Sequence, residues 1–74
     1  MKKLKWKYRN HSENWHCECP KHKYVKGFYI NDFGKQGYGL WAENVIVIEN
    51  YDRLISFFKK LEDAKDVAQS IYNG

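Results

Sequence analysis

The sequence has no apolar run long enough to cross a membrane, only one proline, and only two cysteines among its 74 residues. The lysines of MKKLKWKYRN are followed by no apolar stretch, which argues against a secretory signal or a membrane span. A cytoplasmic protein without membrane contact is the expectation. In that reducing compartment cysteines persist as thiols or metal ligands. Cys17 and Cys19 are also badly spaced for a mutual disulfide, because alternate strand residues stand roughly 6.5–7 Å apart. Repeats, low-complexity tracts and Pro/Gly linkers are missing too, so residues 1–74 read as one domain.

Catalytic patterns are equally scarce. There is no Ser/His/Asp constellation, no carboxylate pair and no Gly-rich nucleotide loop, so an enzyme is not expected. The segment NDFGKQG holds glycines, but neither Lys-Ser/Thr nor a helix start follows it. Its Asn31, Asp32, Gly34 and Gly37 read as tight-turn chemistry instead. His16 and Cys17 are neighbours, yet adjacent strand residues face opposite sides of a sheet, which defeats activation of the thiol by the imidazole.

What is present is a chain able to fold: 43% hydrophobic residues, 18% aromatic and 30% charged. A domain of this length buries only about 60% of its unfolded surface, so a small core rich in aromatic rings is expected, without a deep cleft. The formal charge of +4 is unevenly placed. Residues 1–26 hold eight Lys/Arg against two acids, and residues 27–74 five against seven. That asymmetry suits an acidic partner surface or nucleic acid, and equally a solvated basic segment.

Strict alternation from Leu4 to Arg9 places Leu4, Trp6 and Tyr8 on one side of a strand, with Lys5, Lys7 and Arg9 on the other. Asn10 to Asn14 reads as a turn. Trp15, Cys17 and Cys19 then share a face opposite His16 and Glu18, until Pro20 ends the pairing. Gly27–Asn31, with Phe28 and Ile30 on one side, and Tyr38–Glu43 are further strands, and the β-branched run Val45–Glu49 another.

The next segment has two readings. Leu54, Phe57, Leu61, Ala64, Ala68 and Ile71 recur at intervals of three and four, which fits one helix from about Asn50 to Tyr72. Alternatively RLISFF is a strand pairing with VIVIE across the turn NYD, leaving a helix from about Lys60. On either reading Leu61, Ala64, Val67, Ala68 and Ile71 form a core stripe, and the alanines let the helix lie close to the sheet.

The run FFKKLEDAKDVAQ, Phe57 to Gln69, resembles the ending of many small proteins of phages and related mobile elements, where a strand leads into a Leu-Glu-Asp/Glu-Ala-Lys helix. In those proteins the chain often opens with a Lys-Trp strand, like LKWKY here, and has a second tryptophan after a polar turn, like Trp15. The usual Ser/Thr helix cap is replaced by Lys60. The resemblance favours the strand reading of RLISFF. It implies an α+β fold, a single small antiparallel β-sheet of about four to six strands with one C-terminal α-helix on one face. It also implies accessory functions of the kind found in that group, which includes anti-CRISPR-like inhibitors of host defence.

Two sites follow from the residues. WHCECPKH gathers thiols and imidazoles, so Cys17 and Cys19 with His11 and His22 form a candidate zinc set. C-x-C is not the usual C-x2–4-C knuckle spacing, however, and reduced core cysteines or a redox pairing are alternatives. The second candidate is the sheet face away from the helix. Lys5, Lys7, Arg9, His16, Tyr29 and Trp41 are expected there, either as a basic and aromatic binding face or as a plain cover for the sheet. The expected partner is a host protein that the chain binds and modulates, with nucleic acid and a zinc-stabilised binding module as alternatives and no cofactor required.

Overall fold

The segment GFYIND alternates apolar and polar residues and forms the central strand of the fold. The computed structural model describes residues 3–45 and 51–74. Five strands, β1 (Lys7–Arg9), β2 (Asn14–Glu18), β3 (Gly27–Asp32), β4 (Tyr38–Val45) and β5 (Tyr51–Phe58), precede one helix, α1 (Leu61–Asn73). They make one antiparallel sheet in chain order β1-β2-β3-β4-β5. This is the α+β arrangement expected.

Each connection has a local cause. Asn10–Glu13 turns β1 into β2, with Glu13 at φ 52. Pro20 stands just past β2, as its missing backbone donor requires. A 3-10 turn over Gly34–Gln36 joins β3 to β4. Gly37 ends it at φ 94, where a side chain would also run into the backbone of Phe58, so glycine is required twice over.

Several boundaries and one strand pairing differ from expectation. β1 covers only Lys7–Arg9 and not Leu4–Arg9. The Leu4 amide donates to the Gln69 side chain of α1 at 2.8 Å, so the chain leaves the sheet to meet the helix. Asn14 belongs to β2, where it is buried and its Oδ1 accepts from Arg9 Nε at 3.0 Å. RLISFF is a strand, but it pairs with Tyr38–Ala42 of β4. Of the expected Val45–Glu49 strand, Val45 ends β4 and the rest lies outside the described residues.

Along β5 the pairing shifts: Leu40 opposes Ser56 while Trp41 opposes Leu54, leaving Ile55 as the extra residue of a bulge. The core lies between sheet and helix. Phe28, Ile30 and Leu40 are fully enclosed, with Cys17, Cys19, Val25 and Ala42 around them. Ala64 and Ala68 of α1 are also fully buried, which is how the helix approaches β3, β4 and β5 closely. Leu61, Val67 and Ile71 flank them, and Leu4, Trp6 and Trp15 extend the cluster. Lys60 caps α1 without a side-chain hydrogen bond, so Glu62 and Asp63 in the first turn answer the helix dipole alone.

Candidate binding surface

Residues paired across neighbouring strands point to the same face. Lys7, His16, Tyr29, Trp41 and Leu54 are paired in succession, so they form one row across all five strands on the face away from α1. Arg9, Asn14, Asn31, Gly39 and Phe57 form the next row. Lys5, just ahead of β1, joins Lys7, Arg9 and His16 around one concavity. The six residues expected on the open face are thus found on it or at its rim.

The centre of that face is internally bonded. Tyr29 and Trp41 stack with ring centroids 5.8 Å apart and planes 9° from parallel. The Tyr29 hydroxyl donates to Asp52 Oδ2 at 3.0 Å. Burial, and then this hydrogen bond, push its pKa up to about 12. His16 Nε2 meets Glu43 Oε1 at 3.1 Å. Gly27 lies beneath that pair: a Cβ there would stand 2.7 Å from Glu43 Oε1 and 2.9 Å from the Cys17 carbonyl oxygen. The Trp41 indole nitrogen is buried and has no partner among the described residues. Each of the two stacked rings therefore covers one face of the other, so the pair does not offer two free ring faces.

The open apolar surface lies further along, on residues the sequence analysis did not single out. Phe33 and Phe57 meet edge to face at 5.4 Å, over Gly39, where a Cβ would come within 2.6 Å of the Phe33 ring. Phe33 is 41% exposed, Phe57 43% and Leu54 37%. Their signal in the sequence was weak: a phenylalanine inside a turn, and an apolar spacing of three that reads as helical.

The candidate zinc set is not brought together. Cys17 and Cys19 do lie side by side, each 3% exposed in the core. Burial first, and the neighbouring thiol second, push the Cys17 pKa up to about 12, and burial raises that of Cys19. His22 Nδ1 accepts the amides of Tyr24 at 3.2 Å and Val25 at 3.1 Å, and its ring packs on Tyr72. It therefore organises the Pro20–Lys26 loop. His11 stands exposed in the Asn10–Glu13 turn. Among the described residues no three His, Cys, Asp or Glu side chains gather as a metal site. His16 and Cys17 face opposite sides of the sheet, with Tyr29 and Phe28 as their respective partners.

Among the described residues no helix is long and apolar enough to cross a membrane. Compared with known proteins, the chain matches no family model, no curated protein and no solved structure.

Proposed function

We propose that this chain is a non-enzymatic accessory protein of a phage or mobile element, acting in the host cytoplasm by binding a host protein and modulating it. The origin rests on the likeness of LKWKY and FFKKLEDAKDVAQ to such proteins. The contact surface rests on one observation: Phe33, Leu54 and Phe57 are large, apolar and exposed on the sheet face that α1 leaves uncovered. Neighbouring exposed apolar side chains beside an edge strand are what a protein partner covers. Inhibition of a host defence system is one form such modulation takes.

The test is recovery of a stoichiometric protein from nuclease-treated bacterial lysate, with the parent and with Leu54→Glu/Phe57→Glu side by side. Recovery by the parent alone supports the reading. Equal recovery by both, or none by the parent, overturns it. The two substitutions replace exposed side chains, so the variant should melt close to the parent.

A further inference from the structure

Three neighbouring concavities of the surface share lining residues, and their cations form one track. The first is lined by Lys3, Lys5, Lys21, Glu18 and Tyr72, among others. It shares Lys21 and Tyr72 with the second, which adds Lys23 and Tyr24, and shares Lys5 and Glu18 with the third, which adds Lys7, Arg9 and Tyr8. The track starts at the C-terminal end of α1, passes the Pro20–Lys26 loop and the segment before β1, and ends at the rim of the open sheet face. Six cations line it: Lys3, Lys5, Lys7, Arg9, Lys21 and Lys23. Glu18 is the one acidic side chain among the described residues that line it.

Among the described residues the lysine charges of the track are unspent, while Arg9 also donates to Asn14. The ion pair formed among the described residues is His16–Glu43, and none of the five lysines has a carboxylate partner. Two exposed rings border the track, Tyr24 at 57% and Tyr8 at 46%. Lys23 Nζ lies 5.5 Å from the centre of the Tyr24 ring. Unpaired cations in file serve a partner whose negative charges are also in file, and open rings beside them serve one whose bases are unpaired.

We infer that this track binds the backbone of a single-stranded nucleic acid, with Tyr24 stacking on a base. The surface is separate from the Phe33, Leu54 and Phe57 patch, so the inference holds or fails without the protein-binding proposal.

Fluorescence anisotropy with a labelled oligo-dT or oligo-rU strand of about a dozen nucleotides tests it. Affinity should fall with a log–log salt slope of up to about −4, since each neutralised phosphate of a single strand contributes about −0.7. Between about 50 and 200 mM salt that is a loss on the order of 10²-fold. Lys3→Glu/Lys5→Glu/Lys21→Glu should lose a similar factor at low salt. Lys35→Glu/Lys59→Glu/Lys60→Glu, with the same change in net charge away from the track, should stay within about threefold, since exposed charges beyond a Debye length are screened. Tyr24→Ala should weaken binding about tenfold and Tyr24→Phe should restore it. All these side chains are exposed, and circular dichroism verifies that each variant folds. The inference is overturned if the parent binds no strand at low salt, if both triple variants lose affinity equally, or if vesicles containing phosphatidylserine are bound while oligonucleotides are not. Retained strand binding by Leu54→Glu/Phe57→Glu separates this result from that of the protein partner.

Discussion

On β3, Phe28 and Ile30 are fully enclosed under α1, while Tyr29 between them lies on the open face against Trp41. The same alternation runs through β2, where Cys17 enters the core and His16 bonds Glu43 outside it. The enclosed face is held by burial, which is non-directional and scales with apolar area. The open face is held by particular pairs: a ring stack, a hydroxyl on a carboxylate, an imidazole on a carboxylate. One face therefore fails by losing volume, and the other by losing partners.

The largest expected effect breaks the enclosed face. Phe28→Ala leaves a cavity in the core cluster that Phe28 shares with Ala64 and Ala68 and should cost about 3–5 kcal/mol by urea unfolding, enough to unfold much of a domain this small. A loss below about 1 kcal/mol would show that the helix collapses onto the sheet without it.

Gly27→Ala tests the open face through its backbone. The added Cβ meets both Glu43 Oε1 and the Cys17 carbonyl oxygen, so the expected cost is about 1–3 kcal/mol, with the His16–Glu43 contact broken. The His16 ring resonances in an NMR spectrum should shift in the variant. Unchanged resonances would mean that the two side chains find another route past β3.

Alkaline pH separates the two faces by chemistry. The Cys17 thiol is raised from its ordinary 9.0 to about 12 and the Tyr29 hydroxyl from 10.0 to about 12. Between those limits the unfolded chain has released protons that the folded chain keeps, so stability falls as pH rises. The contribution of Cys17 is complete below about pH 9 and gone above about 12; that of Tyr29 starts to fall near 10. Urea midpoints from pH 8 to 11 should decline less steeply in Cys17→Ala than in the parent. Native Cys17 and Cys19 should also resist a thiol reagent until denaturant is added.

The smallest effect contrasts two cations of β1. Arg9→Ala strips a donor from buried Asn14 and should cost about 1 kcal/mol. Lys7→Ala removes an exposed charge and should move stability by no more than about 0.5 kcal/mol. Equal thermal shifts for the two would show that Asn14 finds another donor.

Alternation made much of the sheet readable, because a period of two says which side chains share a face whatever lies above them. That is why Lys7, Arg9, His16, Tyr29 and Trp41 share the face that the alternation predicts, with Lys5 just ahead of the strand, while their bonding is not legible in the sequence. Which ring stacks on which, and that Asp52 reaches Tyr29, depends on neighbours brought together across strands. Leu54 and Phe57 show a different limit. Three residues apart, they share a face because Ile55 is an extra residue in β5, and a bulged strand then copies the spacing of a helix. The cysteine cluster shows a third. WHCECPKH is metal-like in composition, but strand geometry sends both thiols into the core, and His22 caps its own loop.

By itself the sequence determined the alternate faces of β2, β3 and β4, the core stripe of α1 and the excess of cations in the first third. These are properties of local periodicity and composition, and they hold before any two distant residues meet. Tertiary structure alone decided that β5 pairs with β4 in a bulged register, that Phe33, Leu54 and Phe57 stand together in the open, and that Lys3, Lys21 and Lys23 continue the file of Lys5, Lys7 and Arg9. Each of these joins residues far apart in the chain, and such neighbours are set by how sheet, loop and helix pack, which no local pattern encodes.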